Sequence, residues 1–306
     1  MDSELKLKSA IVTAALACLT VATLHPPRVA AAGDPYQLVE NWAQLPAGTP
    51  WGLMSAVDVD AKGNIYALQR SDPTSKVIVL DSKGKYLKTW GEGEFPSAHT
   101  LRVFDGAVWI TDRKLQQALK FDTDGKLLLA LGQKGVAGDN NSQDSFNGVS
   151  DVAVGKKGDI FVSDGEGPNT RVVKFSRDGK FIKFWGAKGS GPGEFNTPHN
   201  IAIDSRGHVW VCDRGNKRLE EFDEDGNFLS QTTVFGAAST IFITKRDVMY
   251  VTSQPPTNEI IIGTTDGKIQ GRIEGLNNAQ GLTVDAKGAV YVSESDGKSI
   301  AKYVKK

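Results

Sequence analysis

An all-β ring of six four-stranded units is the fold this sequence predicts, and three observations predict it. One short strand motif recurs six times, as "AKGNIYALQR", "FDGAVWITDR", "KKGDIFVSDG", "SRGHVWVCDR", "KRDVMYVTSQ" and "AKGAVYVSES". A second recurs between them, as "DSKGKYLKTWG", "DTDGKLLLALG", "SRDGKFIKFWG", "DEDGNFLSQTT" and "TTDGKIQGRIE". The two ends of the chain also complement each other. "YQLVENWA" near the start resembles the outer strand "YLKTWG", and "SIAKYVKK" at the end resembles a third strand, so the last unit lacks one strand that the first can supply. Sharing a unit between the termini removes an open sheet edge.

Each unit follows the same order. It begins with a short apolar strand ("AVDVD", "TLRVF", "DVAVG", "NIAID", "TIFIT", "GLTVD"), followed by the first recurring motif. A third strand ("KVIVLD", "QALKFD", "RVVKFS", "RLEEFD", "EIIIGT") and the second motif complete it. Asp-Gly and Lys-Gly pairs supply turns between alternating runs. Four-stranded units repeating at about 40–50 residues stack radially as blades, giving a six-bladed β-propeller.

The first 32 residues read as a signal peptide and residues 33–306 as the propeller. Lys6 and Lys8 precede the apolar run "AIVTAALACLTVATL", and Ala30 and Ala32 provide the small residues of a cleavage site. The run is shorter than the roughly 20 residues a membrane span needs. The expected location is therefore secreted or periplasmic, with no membrane association after cleavage. Residues 33–306 hold 33 basic and 34 acidic side chains, a net charge of −1. That balance argues against nucleic acid as a partner and fits a monomer that takes a small molecule. Cys212 is the one cysteine left, so no internal disulfide forms, and it reads as a packed strand residue.

Aligning the six inner strands puts Ser55, His99, Ser150, His199, Ser239 and Gln280 in one ring at a mouth of the central channel. His99, His199 and Gln280 come from alternate blades and form a triangle about the axis. Three protein ligands with one open vertex is a common form of catalytic metal site. Imidazole suits zinc, with copper or iron as alternatives. The other reading is a pair of hydrogen-bonded pore histidines without metal. His208, in "RGHVWV", falls at a turn on the surface. A second ring, at the ends of the second strands, holds Arg70, Arg113, Gly165, Arg214, Gln254 and Ser295. Guanidinium groups there favour a carboxylate ligand, unless they pair with Asp112, Asp164 or Asp213. Arg70 has Gln69 where other blades carry aspartate. Asp164, Asp213, Asn169 and Asn216 fit a repeat pattern that braces the loops between blades.

The patterns "GEFNTPHNIAID", "VWVCDRGNKRLEEFDEDG" and "IFVSDGEGPNTRVVKFSRDGKFIKFWG" resemble NHL repeats over essentially all of residues 33–306. Within that class the chain is similar to the peptidyl-α-hydroxyglycine α-amidating lyases. This resemblance implies a zinc held by His99 and His199 and a substrate carboxylate held by Arg70, with Arg214 in the channel mouth. The reaction it implies is cleavage of a carbinolamide to a peptide amide and glyoxylate. The family's third zinc histidine falls at Gln280, and the acidic residue after it at Gly281, which makes the family's structural calcium doubtful. Its catalytic tyrosine falls at Glu166, which then reads either as a base or as an exposed loop acid. The leading expectation is a metal-dependent carbon–nitrogen lyase for a small carboxylated substrate or peptide end. Its metal would lie at His99, His199 and Gln280, its anion site at Arg70, Arg113 and Arg214, and its proton acceptor at Glu166. The alternatives are a secreted propeller that only binds a protein, peptide or glycan, and a propeller-type hydrolase or lactonase. A calcium lactonase would need oxygen ligands rather than imidazoles.

Overall fold

The computed structural model describes residues 35–70, 74–253 and 257–306. The expected signal peptide, with Cys18 and His25, and ring position Gln254 lie outside the described residues. Six four-stranded antiparallel sheets are arranged as blades. Their innermost strands are Met54–Val59, Ala98–Phe104, Val149–Val154, Pro198–Ile203, Ala238–Ile243 and Ala279–Val284. In blades 1 to 5 the four strands follow in chain order; in blade 6 the outermost strand is Tyr36–Leu38 from the other end of the chain. It pairs antiparallel with Ser299–Lys305 in the register Tyr36↔Lys305, Gln37↔Val304, Leu38↔Tyr303. Among the described residues no helix is long and apolar enough to cross a membrane.

The turns are local chemistry. In four of the blades an aspartate (Asp60, Asp122, Asp223, Asp285) accepts hydrogen bonds from the amides two and four residues on. The glycine three residues on takes a left-handed conformation, with φ of +85° at Gly63 and +90° at Gly125. Short polar side chains that bond their own backbone, followed by a residue tolerant of positive φ, close such turns without strain.

Alternation along each strand leaves apolar side chains on both faces of a blade, and these meet the next blade. Six hydrophobic clusters result. An open stack of six blades has five interfaces, so the sixth cluster shows the ring to be closed. It joins Trp42, Met54 and Ile65 at the start of the chain to Ala289, Tyr291 and Ile300 at its end. Cys212 is wholly buried in the cluster between blades 4 and 5, where burial raises its thiol pKa well above the ordinary value and keeps it inert.

Candidate metal and anion site at the channel mouth

Ser55, His99, Ser150, His199, Ser239 and Gln280 are each the second residue of their inner strand. In all six strands the pairing register slips across that residue, from Met54/Ala56 in blade 1 to Ala279/Gly281 in blade 6. The extra residue of a β-bulge loses its place in the ladder, so its side chain is re-aimed. Here the slip falls at every ring position. His99 and His199 come together with ring centroids 5.0 Å apart, although blade 3 separates them in the chain.

Both imidazoles are fixed in the same way. His99 Nδ1 lies 2.8 Å from the Ser150 carbonyl oxygen and His199 Nδ1 lies 2.7 Å from that of Ser239, in each case on the next blade. A carbonyl only accepts, so Nδ1 carries the proton and each Nε2 presents a lone pair. Burial lowers the pKa of His99 to about 4 and of His199 to about 3, so both rings are neutral at pH 7. A neutral imidazole whose second nitrogen is hydrogen-bonded is an oriented metal ligand.

The group facing these lone pairs is Glu166, from the loop after the second strand of blade 3. Its Oε1 lies 3.4 Å from His199 Nε2 and its Oε2 3.9 Å from His99 Nε2. The three ligand atoms all lie within 4.8 Å of one another. Blade 3 carries Gly165 where blades 2 and 4 carry Arg113 and Arg214. A Cβ at Gly165 would stand 2.4 Å from the Pro198 carbonyl. Gly148, at φ +118°, accepts from the amides of Gly165 and Glu166 and passes so close that a Cβ would fall 2.2 Å from Gly167 N. Two glycines therefore let the loop fold in over the histidines. Gly148→Ala is expected to push Glu166 out of the cluster and to lower zinc affinity at least about tenfold, in line with the 10–100-fold effect of disturbing a ligand's support. Chelator competition on the folded variant measures it, and an unchanged affinity would detach Glu166 from the site.

The second ring is also real in the backbone. The amides of Arg70, Arg113, Gly165, Arg214 and Ser295 each bond a carbonyl just ahead of an inner strand. Arg113 and Arg214 do not pair with the aspartates beside them. Asp164 is taken by Arg171 and Asn169, Asp213 by Arg218 and Asn216, bracing the loops as the repeat pattern predicts, while Asp112 caps backbone amides. Both arginines converge instead on Glu166. Arg113 Nη1 donates to Oε2 at 2.7 Å, and Arg214 Nη2 donates to Oε1. Burial works against ionisation of Glu166, but the charges of Arg214 and Arg113 beside it hold its pKa below the ordinary carboxylate value. It is a carboxylate at neutral pH, poorly suited to take a proton.

Arg70 lacks such a partner. Its Nε is buried without a hydrogen bond, and no carboxylate pairs with it among the described residues. Burial and the nearby Arg113 charge lower its pKa, opposed by Glu166. Beside the cluster an open pocket of about 410 Å³ is lined by Arg113, Glu166, Lys114, Gln116 and Asn147 among others.

Gln280 holds its expected place in the ring, with these contacts. Its side-chain nitrogen donates to Asn278 Oδ1 in its own blade at 2.7 Å, and its backbone carbonyl accepts from Thr240. The next-blade serine carbonyl that orients each histidine is not its partner. Calcium does not fit the axis at the level of Arg102. Three residues below His99, Arg102 reaches from blade 2 across the axis. It meets both oxygens of Asp151 at 3.0 and 2.7 Å, Asn200 Oδ1 at 2.5 Å and the Ile241 carbonyl on the opposite blade at 3.4 Å. A guanidinium thus occupies the oxygens a hard cation would require. Sequence reasoning missed it, although one signal was present: Arg102 and Asp58 hold the same inner-strand position in neighbouring blades where Ala153, Ala202 and Phe242 are apolar.

A second group, Asp204, His208 and Glu221, also brings ligand atoms together. Arg206 already bridges both of its carboxylates, at 2.6 and 2.8 Å.

Comparison with known proteins places this architecture. Human NHL repeat-containing protein 3 is 33% identical over 297 residues, covering 88% of this chain and 84% of that protein. This chain belongs to the NHL-repeat propeller family. Residues 141–273 of the propeller match the DUF5128 family, described as a 6-bladed beta-propeller. A probable peptidyl-alpha-hydroxyglycine alpha-amidating lyase of Caenorhabditis elegans is 28% identical over 71% of the NHL chain and 67% of its own length. A solved streptogramin B lyase superposes with a TM-score of 0.61 over 89% of this chain and 98% of its own, at 16% identity, a likeness of fold alone.

Proposed function

We propose that this NHL propeller is an exported, metal-dependent lyase-type enzyme acting on a small carboxylated substrate or the carboxyl end of a peptide. The observation that carries the reading is the convergence of two imidazole Nε2 atoms, each with its Nδ1 held by a backbone carbonyl, on one carboxylate. Facing acceptors repel, and a cation relieves the repulsion. His99, His199 and Glu166 are the ligands of that cation, a His₂Glu set known for catalytic zinc and compatible with iron. Glu166 therefore serves as ligand rather than as base, because its low proton affinity disfavours proton abstraction. When bound, the metal supplies Lewis acidity toward a substrate hydroxyl or carbonyl oxygen.

The chain's own residues do the rest. The Ser150 and Ser239 carbonyls hold the two rings in their ligating tautomer. Arg70, which pairs with no carboxylate among the described residues, anchors the substrate carboxylate, and the adjacent pocket takes the residues that precede it. The test is to load the protein with zinc and supply an acylated peptide ending in α-hydroxyglycine, measuring glyoxylate. The expected result is chelator-sensitive release that Arg70→Ala weakens about 10–100-fold in kcat/KM, the loss of a charge-assisted contact of about 1.5–3 kcal/mol. A zinc-free protein without turnover would overturn the reading. A second reading, a binding propeller without catalysis, is favoured by Glu166 standing where the amidating lyases carry tyrosine. In that case zinc and carboxylate bind without product.

A further inference from the structure

Glu166 serves two groups of partners that compete for it. Each of its oxygens is shared between an arginine and a histidine: Oε2 between Arg113 and His99, Oε1 between Arg214 and His199. The arrangement is symmetric because Glu166 stands on blade 3, with one arginine and one histidine on blade 2 and the other pair on blade 4. With no cation at the imidazoles, its charge is spent on the two guanidinium groups. An external carboxylate seeking that seat must compete with a tethered one. Once a cation sits between the imidazoles, the same carboxylate is drawn toward it. The two guanidinium groups then lose negative charge, and with Arg70 nearby the mouth becomes strongly cationic.

We propose that Glu166 is a shared carboxylate that couples two ligands, so that a divalent metal at His99 and His199 and a small carboxylate at Arg70, Arg113 and Arg214 each raise the affinity for the other. This rests on the metal reading above and adds to it an ordered logic: the substrate seat opens fully only in metal-loaded protein. Coupling between two equilibria is reciprocal, so it can be read from the metal side without any turnover. An amide at position 166 removes it, because glutamine neither neutralises the arginines nor brings a charge to the metal.

The experiment titrates metal-free full-length protein with zinc against a chelator of known affinity. It is done with no addition, with saturating hippurate (a glycine carboxylate) and with hippuramide (its neutral amide). A blank of zinc with hippurate corrects for their association in solution. In the wild type, hippurate is expected to raise zinc affinity about tenfold or more, within the usual range of coupling factors, and hippuramide to leave it unchanged. In Glu166→Gln the hippurate effect falls below twofold. The Arg113→Met, Arg214→Met double variant, which leaves all three proposed ligands in place, gives the same flat response and serves as readout should Glu166→Gln fail to fold. Equal zinc affinity with and without hippurate in the wild type overturns the coupling while leaving the metal site standing, as does a hippurate effect of full size in either variant. Failure of the wild type to bind zinc under any condition overturns the metal reading and the coupling together.

Discussion

Replacing both His99 and His199 by alanine is expected to reduce bound zinc from about one ion per chain to background. Support residues alone change metal affinity 10–100-fold, so loss of two of three ligands exceeds that by a wide margin. Elemental analysis of protein purified in zinc and then desalted measures it, with circular dichroism confirming the fold. The fold should hold, since each ring bonds only a neighbouring strand end. Acid should release the metal late. The histidine pKa values are lowered to about 4 and about 3, so both rings remain unprotonated ligands well below the ordinary histidine value of 6.5 and zinc is lost only as the pH falls toward 4. Equal zinc in wild type and double variant, or release centred near pH 6.5, contradicts the site.

Arg102→Met is expected to produce the largest loss of stability of any substitution at the axis. It leaves Asp151, wholly buried, with no counter-charge, while Asn200 and the Ile241 carbonyl lose a donor. Removing one member of a buried pair costs about 3–5 kcal/mol. For a domain of this size that is a fall in Tm of about 10 °C. Adding Asp151→Asn should restore part of it, because the uncompensated charge disappears. The same guanidinium explains a second expected result: neither calcium nor a calcium chelator shifts the Tm of the wild type. Thermal unfolding of the three proteins checks this, and a fall under 2 °C for Arg102→Met would show that the guanidinium does not hold the channel together.

The blades were legible because their signals are local. Aspartate turns, glycines of positive φ and strand alternation are each written within a few residues, and repetition six times removes the ambiguity of any one strand. The histidines were legible as a pair for the same reason, since a shared place in the repeat becomes a shared place in the ring. Glu166 was found in the sequence as an acid but given a different role. Its contacts run to residues 53 and 67 positions before it and to 33 and 48 after, on two other blades. For Gln280 the repeat placed the residue in the ring, and only the structure shows its amide nitrogen donating to Asn278 two residues away.

The sequence by itself determined the number of blades, the order of strands within them, the complementarity of the two chain ends and the registers from which His99, His199, Arg70, Arg113 and Arg214 project. Only the tertiary structure decided which of these groups meet. The bulge at every ring position appears only in the pairing between strands. The approach of Glu166 depends on Gly148 and Gly165 yielding space to neighbouring blades. The plug at Arg102 exists because closure brings blades 2 and 5 face to face. Periodicity specifies a direction for each side chain within its own blade. Convergence is set by how six twisted sheets close around a channel, where buried charges must find partners across the ring or remain unpaired.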